Sequence, residues 1–151
     1  MNKQTLLEWE NNHDAINTTI DGFWKCFRQW RTEEKDEYHS TFQGKLYEDF
    51  IRVLYLKYTF GVEEAVIFCS VHILYLEELI GTYDIEFSLD GDIGDDYLDF
   101  NAVLLREKMM KIQHNLRVAR SAIREGIEIG KISTITGILP GALQIIKEKY
   151  Y

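Results

Sequence analysis

Hydrophobic and polar positions alternate along the first thirty residues with a clear helical rhythm. Leu6, Trp9, His13, Ile16, Ile20, Phe23, Phe27 and Trp30 recur at spacings of 3, 4, 3, 4, 3, 4 and 3 residues, which places all eight side chains on one side of an α-helix. The pattern predicts one long helix over 6–30, with Gly22 and the poor helix formers Asn17, Thr18 and Thr19 allowing a kink near 17–22. A polar run from Thr32 to Ser40 ends it, and Ser40 or Thr41 is placed to cap the next element.

Phe42, Leu46, Phe50, Val53 and Lys57 then predict a second helix over 41–59, broken at Gly61. Residues 62–80 are apolar on more than one side, through Val66, Phe68, Cys69, Ile73, Leu76, Leu79 and Ile80, as expected of a central helix surrounded by the others and stopped at Gly81. The stretch 82–95 alternates Ile85, Phe87 and Leu89 with acidic or polar neighbours before a Gly-rich turn. It suits a short edge strand or an extended loop, and is read as a projecting loop. From Tyr97 onward Leu98, Leu105, Met109, Ile112, Leu116, Ala119, Ile123 and Ile127 define another long helix, ended by Gly126 or Gly130. A short helix, Gly137 and a Pro140-initiated helix close the chain.

These patterns predict an all-α fold: a single-domain bundle of five or six helices spanning 1–151, carrying an acidic loop. Composition agrees, because with only one proline the turn-forming residues expected every few positions of a sandwich or barrel are missing. Aromatic residues at 13% exclude a disordered chain. Cys26 and Cys69 each sit in an apolar periodic run, which argues for a reducing compartment and a cytoplasmic location. The least polar run, the twelve residues Ala65–Leu76, is shorter than the ~20 that cross a bilayer, and the start of the chain has no secretory pattern, so no membrane association is expected.

Charge changes the picture most. Of the net −8, a charge of −7 falls between Asp84 and Asp99, where Asp84, Glu86, Asp90, Asp92, Asp95, Asp96 and Asp99 occur without a Lys or Arg. From Arg106 to the end nine bases face four acids. An uninterrupted acidic segment sets up a negative field that steers a cationic partner, and nearby aromatic residues, here Tyr83, Phe87 and Tyr97, are the usual anchors of such contacts. The expected function is therefore a small acidic cytoplasmic inhibitor, comparable to an immunity protein, that neutralises a basic protein partner such as a nuclease toxin.

The alternative is a nucleic-acid-binding regulator built on the C-terminal third. Ile132, Ser133, Gly137, Ile138, Leu143 and Ile146 fill the apolar, small and turn slots of a helix-turn-helix unit. Arg106, Gln113, Arg117, Arg120 and Arg124 share one side of the preceding helix. Contacts would come from Arg117, Arg120, Arg124, Gln144 and Lys147, but the reading-helix start (Leu139, Pro140, Gly141, Ala142, Gln144, Ile145) offers only Gln144 for base edges, and the net −8 opposes phosphate. Nucleic acid is the weaker partner.

No catalytic residue, cofactor or metal site is expected. Glu10 and His13 have the Glu-x-x-His spacing of bundle di-iron sites, but the only second copy, Asp36 and His39, lies in a polar linker. The Asp90 segment fails the EF-hand spacing, with Asp95 and Asn101 where Gly and Glu are needed. No nucleophile elbow or phosphate-cradling loop appears. His72 is expected to be an interior histidine, and a homodimer is left open.

Overall fold

The computed structural model describes residues 2–61, 65–100 and 103–151. Three helices lead into a four-stranded antiparallel meander and three more helices follow, so the fold is mixed α/β. This corrects the all-α bundle. The helices are α1 (Lys3–His13), α2 (Ala15–Glu33), α3 (Lys35–Phe42), α4 (Leu105–Arg124), α5 (Ile129–Thr136) and α6 (Pro140–Tyr150). The strands β1 (Ile51–Phe60), β2 (Val66–Tyr75), β3 (Glu78–Ser88) and β4 (Ile93–Asp99) lie in the order β1-β2-β3-β4. Residues 62–64 of the expected third helix, and 101–102 of the expected helix from Tyr97, lie outside the described residues.

The predicted first helix is present but broken. Asp14 adopts a left-handed conformation (φ 49°) that ends α1 and starts α2, and the Glu10 carboxylate spans the break by accepting from the Ile16 N–H. Glycine at 22 serves packing instead. A Cβ there would stand 2.9 Å from Ile85 Cδ1 and 3.1 Å from the Tyr83 hydroxyl, so its absence lets α2 lie close against β3. The polar run expected to end the first helix is largely α3, whose Tyr38 and Phe42, four residues apart, both turn inward.

The predicted helices 41–59 and 62–80 are strands β1 and β2 and the start of β3. In β2, Ile67, Cys69, Val71, Ile73 and Tyr75 are fully buried at every second position, the period of a strand. The intervening Phe68, His72 and Leu74 are half-buried on the other face. A strand apolar on both faces reads as a continuous run that suits a buried helix equally well by period. The deciding signals are its β-branched and aromatic residues. Gly81, read as a helix stop, lies inside β3, with Ile73 as its register partner.

The main helix packing on the sheet, that of α2, falls on the face that carries Ile67, Cys69, Val71, Ile73 and Tyr75. α2 crosses β1, β2 and β3, burying Phe23 and Phe27 against Tyr83 and a cluster of Tyr38, Phe42 and Phe100. α4 follows its predicted seam of Leu105, Met109, Ile112, Leu116 and Ala119. Among the described residues no helix covers the other face.

No single described helix is long and apolar enough to cross a membrane. Among the described residues one helix pair, α5 with α6, is long and apolar enough together, and it is bent by 119° at its break.

Candidate functional site

The predicted acidic loop is the β3–β4 hairpin. Its alternation was a strand signal: Tyr83, Ile85 and Phe87 point into the core, while Asp84 and Glu86 stand between them on the uncovered face. Across the ladder Asp84 pairs with Tyr97, Thr82 with Asp99 and Ile85 with Asp96. The hairpin is pinned rather than projecting. Trp9 of α1 donates its indole N–H to the Leu89 carbonyl at 2.8 Å and packs edge-on against Phe87, with ring centroids 5.8 Å apart. At the tip, Gly91 has φ +87°, and a Cβ there would lie 2.2 Å from His13 Nδ1, so only glycine lets the turn seat against the end of α1. The backbone N–H of Asp92 donates to the Ser88 hydroxyl at 3.0 Å, which closes the turn.

The expected anchors divide. Tyr83 and Phe87 are 1% exposed and belong to the core, whereas Tyr97 is 49% exposed and stands among the carboxylates. Its phenol is pushed above its ordinary value, first by partial removal from water and then by Asp95, Glu86 and Asp96. Tyr83 donates its hydroxyl to Asp96 at 2.6 Å, and burial together with that carboxylate pushes its phenol strongly upward. Asp96 also raises the Cys26 thiol, after the larger effect of burial.

Ion pairing among the described residues gathers around β1 and the β2–β3 turn. Glu48 binds Arg28 and Arg31, Asp49 binds Lys149, Glu77 binds Arg52, and Glu78 lies 3.9 Å from Lys108. Among the described residues none of Asp84, Glu86, Asp90, Asp92, Asp95 or Asp96 forms an ion pair. Asp90, Asp92, Asp95, Asp96 and Asp99 are exposed, and Asp84 and Glu86 are half-exposed. Next to them the uncovered sheet face offers the half-buried Phe68, opposite Glu86.

No family model matches the chain, and no curated protein or solved structure matches it.

Several residues of the nucleic-acid alternative are engaged within the chain. Gln113 is buried, donating to the carbonyls of Phe42 and Lys45, so it ties α4 to the segment after α3 and is absent from the arginine stripe. Arg120 donates to the Tyr151 hydroxyl, and both Arg120 and Arg124 lie over the Tyr151 ring. Gln144 donates to Glu148 at 2.8 Å, while Arg106, Arg117 and Lys147 are exposed. α5 and α6 form as predicted, with Gly137 left-handed between them and Ile132, Ile138, Leu143 and Ile146 buried, so the spacing that suits a helix-turn-helix also closes a core.

Other candidates take structural roles. Glu10 accepts from the Tyr58 hydroxyl, and burial raises its carboxyl above the ordinary value. His72 lies on the uncovered sheet face, flanked by Leu54 and Thr82. Among the described residues no three His, Cys, Asp or Glu side chains converge on a metal-binding point. A groove of about 910 Å³, unmarked by any motif, lies between the start of β1, the β2–β3 turn, α4 and the α5–α6 junction. Its floor is apolar, and its rim mixes both charge signs, with Arg52–Glu77, Lys108–Glu78 and Lys149–Asp49 already paired.

Proposed function

We propose that the β3–β4 hairpin and the adjoining open sheet face dock a cationic protein, and that the chain acts as a binding inhibitor of such a partner, comparable to an immunity protein against a basic toxin. The observation that carries this reading is the clustering of unpaired carboxylates. Glu48, Asp49, Glu77 and Glu78, around β1 and the β2–β3 turn, are bound to the chain's own bases, whereas Asp84, Glu86, Asp90, Asp92, Asp95 and Asp96 gather on one pinned hairpin with no Lys or Arg partner among the described residues. Unpaired carboxylates on a fixed backbone cost little reorganisation on binding, and their common field raises the rate of encounter with a cation. Tyr97 and Phe68 add aromatic area to the same surface. The reading requires no catalytic chemistry, and it places the chain in the reducing cytoplasm, where free thiols such as those of Cys26 and Cys69 persist. The helix-turn-helix reading gains no comparable support, since Arg120, Arg124 and Gln144 are engaged within the chain.

Titration of the ¹⁵N-labelled chain with cytochrome c, a compact cationic protein, at low salt tests this. The expected amide shifts fall on 82–99 and on β2 beside them, and fade as salt screens the contact. Shifts centred on α4–α6, or none at all, would remove the reading.

A further inference from the structure

The opposite border of the sheet has a different character. β1 is an edge strand of ten residues whose outer backbone N–H and C=O groups face away from β2. Leu54, Tyr55, Leu56 and Phe60 are 37%, 44%, 40% and 47% exposed. No Asp, Glu or Pro interrupts the strand, and its two bases are Arg52, paired with Glu77, and Lys57. Natural edges are usually guarded by charges, proline, brevity or an inward-pointing charge. β4 has such guards in Asp95, Asp96 and Asp99, with Asp96 on the core side of the ladder. β1 has only Lys57 and a register shift between Tyr55 and Lys57.

We infer that β1 pairs edge to edge with β1 of a second copy, joining two four-stranded sheets into one of eight strands. A two-fold axis normal to the sheet sets the two β1 strands antiparallel, so the contact is isologous and closes at the dimer. Electrostatics select this occupant. A cationic partner is drawn to the far edge, and an acidic one finds only Lys57 free of an ion pair on β1. Two chains of net −8 approach with least repulsion at the edge without carboxylates. Each acidic hairpin then lies about 14 Å from the joint, beyond the Debye length of ~8 Å at physiological salt. Both helix layers fall on one side, and both open faces on the other. The joint rests on one strand per copy, so it belongs to the small, reversible class of interfaces.

Sedimentation velocity of the intact chain from about 5 to about 500 µM tests this, beside Leu54→Lys/Leu56→Lys. The native chain is expected to shift from monomer toward dimer, and the variant to raise the dissociation constant at least about ten-fold. Hydrogen exchange at high concentration should slow at the β1 amides. A chain that stays monomeric throughout, a dimer indifferent to the double substitution, or growth past the dimer into longer species would each overturn the inference. Should the variant fail to fold, the concentration series and exchange pattern of the native chain decide the matter alone.

Discussion

The two edges of the sheet share one backbone geometry and differ in almost every other respect. β4 is acidic, backed by a tyrosine–aspartate hydrogen bond and paired only with β3. β1 is apolar and aromatic, tied to the helices through Tyr58, which donates to Glu10 and packs edge-on against Trp9. An edge strand exposes the same backbone groups whatever its sequence, so side-chain charge decides what can approach it. On the two proposals above, one border meets a cationic protein and the other a second copy of the chain.

Trp9 holds both borders, and its removal should have the largest effect. It bonds to Leu89, packs against Phe87 at the acidic hairpin and meets Tyr58 of β1. Trp9→Ala is expected to cost about 3–5 kcal/mol in urea unfolding and to speed exchange at both the hairpin tip and β1. Loosening of one edge alone would show that the two are held independently. Gly22→Ala comes next. Its methyl would press on Ile85 Cδ1 and destabilise the chain by about 1–3 kcal/mol, with the displacement felt on β3 and not on β1. Tyr83→Phe takes the hydroxyl donor from Asp96 and should cost about 1 kcal/mol, while freeing a carboxylate at the acidic edge. Stability to urea and affinity for cytochrome c therefore move in opposite directions in that variant.

Two carboxylates beside β1 differ in their response to pH. Burial raises the Glu10 carboxyl, so the stability linked to it is fully present below its ordinary 4.5 and is lost as pH rises through the higher folded value. Glu48, just before β1, is lowered chiefly by hydrogen bonding to Arg28, so its contribution is present above 4.5 and is lost as pH falls toward the lower folded value. Glu10→Gln should gain on the native chain as pH rises through 4.5, and Glu48→Gln should flatten the acid limb. Thermal midpoints measured from pH 3 to pH 7 check both signs. The smallest effects belong to the exposed positions, where Leu54→Lys or Asp92→Asn should change monomer stability by no more than about 0.5 kcal/mol.

How much of this was legible in the sequence depended on burial. Helices with one apolar seam, α2, α4 and the α5–α6 pair, declared themselves by spacing, and α1 was misjudged only at Asp14, where a non-glycine residue takes a left-handed turn. The sheet stayed hidden for two reasons. β2 is apolar on both faces, which erases the two-residue alternation. The β2–β3 turn uses Leu76 and Glu77 at φ 49° and 66°, positions where a hairpin normally advertises itself with Asn-Gly. The acidic segment was found by charge alone, and the alternation of Ile85 and Phe87 within it was the one readable strand signal. Charge could not tell Tyr97 on the surface from Tyr83 and Phe87 in the core, because that depends on which face the ladder turns inward. The role of Gln113 was equally hidden, since its carbonyl partners lie about seventy residues away.

Amide hydrogen exchange followed by mass spectrometry tests the division of labour most directly, with the chain measured dilute, concentrated, and dilute with cytochrome c. The account predicts that concentration slows exchange in β1 and not in β3–β4, and that cytochrome c slows it in β3–β4 and the adjoining β2 and not in β1. Protection that rises at both edges together under either condition, or at neither edge under both, would contradict it.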